Sequence, residues 1–577
     1  MSQFFTRSAF LCLVFLTLCA RAATADDVRA FGEYMKLAEA FGFSGSVLVA
    51  RGDSIVLAAG YGYADQNTDI KNTQETAFDI GSLTKQFTAA AIMRLQMQAK
   101  LSTNDELGKF FPAAPADKLH VTLHQLLTHT SGLPVYTPGG DFDILPERDG
   151  IDWILRSKLE FAPGSNFRYS NTDYTLLAAV VEKASGKSYE QFLADEFFTT
   201  LGMAHTGDAL PQWAEHQIAY GYAQREPFSI APFIKFMPYY AGLFGNGGMV
   251  STTKDMYRWI RVLQQHTAIS GDSLAEMLRP DHSEDYGYGW EVRRKDGAVM
   301  YQHGGLGNFG YNSLVQWDAD GNIVIVLCNV DQLPTGTIMR DSVSGVLWDA
   351  VRGVRTLRST RADFVQPAPV RESIRPGTFR LPSGGRLVVS AQGGAIFLSP
   401  HGQDAVDLIA GTNGSDRARL HNESILTAKL LSDGQSGSCA TAARIAPGPA
   451  GETLCHALAQ RLQELIARTG VRALQFEVVG SVPAWFDPDG TDATFVATNA
   501  ASFPIFRLHW TNGRIDAFGG KAIPSPAMIE LKLTRDGSYI GFHPGLDATV
   551  AIRVMNRGPA RRISIASASG SAIATAL

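Results

Sequence analysis

The chain has 577 residues, of which 45% are hydrophobic and 19% charged, with a formal net charge of −5. That composition is ordinary for a globular protein, and the length suffices for about three or four average domains. A nearly neutral chain with no basic run excludes nucleic acid or an anionic membrane surface as its main partner.

The N-terminus reads as an export signal over residues 1–25. Arg7 precedes the apolar stretch Ala9-Phe10-Leu11-Cys12-Leu13-Val14-Phe15-Leu16. Ala20-Arg21-Ala22 and Ala23-Thr24-Ala25 are two places where small residues could end at a cleavage site. The stretch is short for a membrane span, and no later run reaches the length a span needs. The expected product is periplasmic or secreted, with no stable membrane span after cleavage.

A helix is expected over 27–40. Ser46-Val47-Leu48-Val49-Ala50 and Ile55-Val56-Leu57-Ala58 flank Gly52-Asp53, a hairpin signal. Phe78-Asp79-Ile80-Gly81 leads into Ser82-Leu83-Thr84-Lys85, and helix periodicity runs over 83–97. A lysine three residues after a serine lies about one helical turn away on the same face. Burial would make that lysine easier to deprotonate, and a serine hydroxyl needs such a base to become a nucleophile. The same pattern recurs at Ser251-Thr252-Thr253-Lys254, where Thr252 with Asp255 reads as a capping box before a helix.

Tyr169-Ser170-Asn171 follows the turn Phe161-Ala162-Pro163-Gly164 and precedes a helix over 172–183 that Gly186 ends. A tyrosine near Lys85 could relay a proton and an asparagine amide could hold a peptide-like carbonyl; equally, Tyr169 could pack and Asn171 cap the helix. Consecutive strands with glycine turns are expected over 299–330. They contain Tyr301-Gln302-His303-Gly304-Gly305-Leu306-Gly307, either a plain hairpin or a strand edge that offers N–H groups to an oxyanion. Strands at both ends with helices between them predict an antiparallel sheet flanked by helices, an α/β (α+β) arrangement.

Three motifs in this order resemble the serine β-lactamase and penicillin-binding-protein superfamily, in which Ser-x-x-Lys is followed by Tyr-x-Asn and then by Lys-Thr-Gly or a His-x-Gly variant. The resemblance covers about residues 30–350. It takes in Phe43-Ser44-Gly45-Ser46-Val47-Leu48-Val49-Ala50, Gln125-Leu126-Leu127-Thr128-His129-Thr130-Ser131-Gly132-Leu133, Gly247-Gly248-Met249-Val250-Ser251 and Tyr288-Gly289-Trp290. It implies a β-lactamase/transpeptidase-like fold, Ser82 as the acylated nucleophile, Lys85 as its base and Tyr169 as an aid to proton transfer. It further implies that Asn171, His303, Gly305 and Leu306 bind substrate, with the N–H groups of Ser82 and Leu306 as the oxyanion hole. His303 stands where the lysine of Lys-Thr-Gly holds a substrate carboxylate. That departure resembles D-aminopeptidases and class C-like esterases, and it predicts weak β-lactamase activity. No glutamate dedicated to deacylation stands out, and no cofactor or metal is called for. The expected substrate is a small molecule or peptide with an ester or amide bond. A catalytically weak binding or cell-wall-associated protein on the same fold is the alternative reading.

The hydrolase domain is expected over 26–351. Residues 352–376, rich in Arg, Pro and Ser, read as a linker. Beyond it, 377–577 reads as one or two small β-rich accessory domains with one helix at about 452–468. Strands there flank Gly393-Gly394, and turns are expected at Asp487-Pro488-Asp489-Gly490 and Asn512-Gly513. Of the five cysteines, Cys12 and Cys19 leave with the signal, and Cys328 reads as an inert core thiol. Cys439 and Cys455 could pair in an oxidising compartment, although spacing alone does not fix that. No Gly-x-Ser-x-Gly elbow or His-Glu-x-x-His motif occurs. Ser185-Gly186-Lys187-Ser188 mimics a phosphate loop, but Val181 stands where its first glycine belongs.

Overall fold

The computed structural model describes residues 24–577 apart from short internal stretches, the longest being 331–338, 358–373, 498–504 and 520–528. The export signal, the middle of the expected linker and the turns at Gly393-Gly394, Asp487-Pro488-Asp489 and Asn512-Gly513 lie outside the described residues. Six strands make the central sheet: β1 (Gly45–Arg51), β2 (Ser54–Tyr61), β3 (Glu291–Lys295), β4 (Ala298–Leu306), β5 (Asn312–Asp318) and β6 (Ile323–Cys328). Their order is β2-β1-β6-β5-β4-β3, antiparallel throughout. The N-terminal hairpin is thus closed against the last strand of the same domain, with Gly45 opposite Cys328.

Both faces of this sheet are covered, which is why β1 and β6 read as unbroken apolar runs rather than as alternations. Val47, Val49, Val324 and Val326 point to one side and pack with α1 (Ala25–Ala40) and with Val343, Val346 and Leu347 of the helix Met339–Val351. Leu48, Ala50, Ile323 and Ile325 point to the other, into a larger core with α2 (Thr84–Met97), α3 (Asn171–Ser185) and α4 (Thr253–Gln264). Thr24 caps α1: its side chain accepts from the Asp27 N–H, and Asp27 bonds the Thr24 N–H in return. Such a reciprocal cap satisfies two donors that the helix leaves open. At Ser251 the outcome differs from the expected box. Thr252 accepts from the Asp255 N–H, but the Asp255 carboxylate turns away to the His205 N–H and Thr206, and Ser251 lies in a short strand against Phe78.

The C-terminal region contains an eight-stranded closed barrel whose first strand is Gly377–Arg380 and whose last is Gly570–Ala576. Closure removes the exposed edges that an open sheet would present. The expectation of a single helix here needs correction. Between the third and fourth barrel strands the chain inserts helices Gln403–Ala410, Gly414–Ser436, Ala440–Ile445 and Pro449–Thr469, then a four-stranded sheet over 476–519. Cys439, just before the helix Ala440–Ile445, forms a disulfide with Cys455 of Pro449–Thr469, and Cys328 is a buried free thiol. The barrel rests on the first domain through Phe542, whose ring meets Tyr34 and Phe41 of the α1 region at 5.9 and 5.7 Å between centroids. Among the described residues no helix is long and apolar enough to cross a membrane.

Candidate active site

Ser82 sits in a single 3-10 turn, Gly81–Leu83, that feeds directly into α2. Gly81 has φ +51°, and its N–H is held by the Asp79 carboxylate at 2.8 Å. The turn is pressed against β4. A Cβ on Gly81 would stand 3.1–3.2 Å from the main-chain atoms of Leu306, and one on Gly305 would stand 2.0 Å from the Ile80 carbonyl oxygen and 2.2 Å from Ser313 Oγ. Glycine at 305 is therefore required by close approach of two backbones. The Ser313 hydroxyl donates to the Ile80 oxygen at 2.7 Å, and Arg340 donates to the Gly305 and Ser313 oxygens at 3.1 and 3.2 Å. The pairing of β3 with β4 ends at Gln302, so His303 to Leu306 continue as a strand edge beside Ser82.

One turn into α2, Lys85 is fully buried and its Nζ has three oxygen partners: Ser82 Oγ at 3.1 Å, Asn171 Oδ1 at 2.8 Å and the Asn246 carbonyl at 2.8 Å. Burial pulls its pKa from the ordinary 10.5 down to about 7, against the opposing pull of Asp141 and Asp173. A neutral amine keeps two N–H donors and one lone pair. Carbonyl oxygens only accept, so Asn171 and Asn246 take the two donors, and the lone pair is left facing the Ser82 hydroxyl. Tyr169 lies beside the same nitrogen, 4.8 Å from Nζ to the ring centroid. Burial holds its phenol above the usual range, while a hydrogen bond with Ser82 works the other way. Tyr169 is thus a protonated phenol at neutral pH, able to pass a proton but not to act as the first base. The structure brings Ser82, Lys85, Tyr169, Asn171, Gly305 and Leu306 together.

His303 is placed differently from the expectation that it binds substrate. Its side chain is buried, and both ring nitrogens are occupied by protein. Nδ1 contacts the Gly304 carbonyl at 2.8 Å and must carry the hydrogen, so Nε2 accepts from the Tyr286 hydroxyl at 3.0 Å. Burial pulls its pKa to about 4 against the pull of Glu291. It is a neutral spacer under the strand edge, with no charge to offer a carboxylate.

Three further groups belong to the site beyond the residues assigned to it from sequence. Asp141 accepts from Asn171 Nδ2 at 2.9 Å, fixing which way that amide faces. Asn246 supplies the carbonyl to Lys85 from just before the Gly247-Gly248 segment. Behind Tyr169 lies a buried group of His129, Ser131 and Asp173. The His129 ring is 4.4 Å from that of Tyr169. The Ser170 N–H donates to His129 Nδ1 at 3.2 Å, and Asp173 Oδ2 lies 2.9 Å from the same nitrogen. Both contacts fall on one ring nitrogen with a single lone pair, and the contact to Asp173 is the shorter of the two. The Ser131 hydroxyl donates to its other oxygen at 2.5 Å. Burial pushes the Asp173 carboxyl well above its ordinary range and His129 well below its own, which agrees with a neutral pair. Among the described residues no group of three or more His, Cys, Asp or Glu could hold a metal ion.

The Beta-lactamase family profile matches residues 30–341. The chain belongs to the β-lactamase family. It is 31% identical over 304 residues to a putative penicillin-binding protein, PbpX, of Bacillus subtilis, a match covering 53% of this chain and 74% of that one. Penicillin-binding protein 4* of the same organism is 31% identical over 303 residues, 48% of this chain and 66% of the other. An octameric penicillin-binding protein homologue from Pyrococcus abyssi superposes with a TM-score of 0.50 at 18% identity, covering 95% of this chain and all of that one. That likeness is one of fold. The fold class is therefore the expected one, an antiparallel sheet flanked by helices of the β-lactamase/transpeptidase type, followed by a β-rich region.

Proposed function

We propose that this β-lactamase-fold protein is an exported serine hydrolase that cleaves small esters or the amides of D-amino acids and related peptides through an acyl-enzyme. The observation that carries the reading is the Lys85 Nζ at 3.1 Å from Ser82 Oγ with its other two donor directions taken. Ser82 Oγ attacks the carbonyl carbon and its proton passes to the Lys85 lone pair. The carbonyl oxygen becomes an oxyanion at the N–H groups of Ser82 and Leu306, where one donor is worth about 2.7–4 kcal/mol. As the tetrahedral adduct collapses, the proton moves by way of Tyr169 to the leaving oxygen or nitrogen, and Lys85 is again neutral. Water then attacks the ester on Ser82 by the same route in reverse, restoring the serine hydroxyl and releasing the acid.

His303, neutral and turned to Tyr286, supports the ranking of esters and amides above β-lactams, since a carboxylate on the substrate finds no cation there. A fluorophosphonate probe should modify Ser82 in the native protein, and Lys85→Ala should abolish that labelling while the circular dichroism spectrum is retained. Mass spectrometry that places the adduct on another serine, or nitrocefin hydrolysis faster than that of every simple ester, would refute the assignment.

A further inference from the structure

At and just beyond the strand edge, the chain exposes large apolar side chains. Leu306 is 64% exposed although its main chain is packed against Gly81, next to the nucleophile. Three residues on, Phe309 is 42% exposed at the tip of the β4–β5 hairpin. Three residues of chain span at most about 11 Å, so the backbone of Phe309 lies within about that distance of Leu306. Its φ is +65°, a conformation that costs a bulky residue energy and recurs at functional sites. Phe309 stacks on Phe228 at 3.9 Å between centroids with 21° between planes, and Phe228 stacks on Phe233 at 5.6 Å and 17°. Phe233 is itself 48% exposed. Three rings in near-parallel register, two of them open to water, form a stacked ladder. A contiguous apolar patch beside a reactive centre marks a binding surface rather than stray exposure.

We infer that Leu306, Phe309, Phe228 and Phe233 form a subsite for a ring-bearing apolar acyl group, so that the favoured substrates are esters or amides of arylalkanoic type rather than of acetic type. The inference rests on the serine hydrolase reading given above. In the opposite direction along the strand the His303 side chain is buried, with Tyr286 donating to it. An acyl group that follows the strand from the Leu306 N–H into the hairpin meets Phe309 first. Aromatic faces receive another ring by offset or edge contact, which gives the subsite its preference for rings over straight chains of equal size.

The experiment compares p-nitrophenyl acetate with p-nitrophenyl 3-phenylpropionate, which share a leaving group. The full chain should turn over the phenylpropionyl ester with a kcat/KM at least about tenfold higher, the lower end of what one apolar group contributes to discrimination. Phe309→Asn, a residue that tolerates the left-handed backbone, and Phe233→Ala, at an exposed position, should each reduce that ratio severalfold, mainly through KM. A wild-type ratio near one, or a ratio that neither substitution changes, would overturn the subsite. Failure to turn over either ester together with no fluorophosphonate adduct on Ser82 would instead remove the hydrolase reading, and the subsite with it.

Discussion

Lys85 supplies an expectation about pH that follows from its surroundings alone. Buried with a pKa near 7, it is protonated and without a lone pair below that pH and free to accept above it. The kcat/KM for a neutral ester should therefore rise about tenfold per pH unit up to about 7 and level off beyond it, as a profile of the free enzyme reports. A flat profile across that range would show that another group takes the serine proton. Asp173 gives the second residue-scale test. If its carboxyl donates to His129 Nδ1 while accepting from Ser131, then Asp173→Asn reproduces both bonds with an amide N–H and a carbonyl. That variant should stay within about 1 kcal/mol of wild-type stability and keep its pH profile. Asp173→Ala, which leaves His129 and Ser131 unpartnered in the core, should cost several-fold more. An Asp173→Asn protein as damaged as the alanine variant would mean that the carboxyl is ionised. Ser82 and Lys85 were legible in the sequence because a spacing of three on a helix fixes their juxtaposition. Asp141 was not, because it reaches Asn171 from 30 residues away with no spacing to announce it; Asn246 and Asp173 adjoin recognisable segments, but only the fold shows which groups they bond.

At the scale of elements, the junction of β4 with the Ser82 turn decides whether the oxyanion donors converge. Gly305→Ala would place a methyl 2.0 Å from the Ile80 oxygen, so one backbone must move. The loss expected is about 100-fold in kcat, the size associated with one misplaced oxyanion donor, with slower labelling of Ser82 and a retained fold; unchanged turnover would show that the strand has room to shift. Some of the inserted helices carry little sequence signal, for a physical reason. On Gly414–Ser436 the buried positions include Glu423 and Thr427 as well as Leu420, Leu430 and Leu431. Thr427 accepts from the Trp510 indole at 3.2 Å. A buried face built partly from polar groups that bond across an interface carries no apolar stripe, which is the signal a periodicity argument reads. The helix at Pro449–Thr469, with Leu458 and Leu462 buried, kept that stripe and was found.

For the whole molecule, Phe542 is a central part of the contact between the barrel and the hydrolase domain, beside Ile540 and Lys532. Its ring shares a core with Tyr34, Phe41 and the sheet residue Val326. Phe542→Ala should cost about 3–5 kcal/mol at that contact, seen as faster amide exchange in α1 and earlier proteolysis between the two regions; unchanged protection of α1 would mean the barrel is held elsewhere. The strand order has a consequence for how the molecule is made. β1 lies between β2 and β6, so Gly45 must wait for Cys328 to leave the ribosome before its second neighbour exists. Pairings so distant along the chain slow folding, because loop closure comes before any reward. The central sheet therefore cannot close until more than half of the polypeptide has been made.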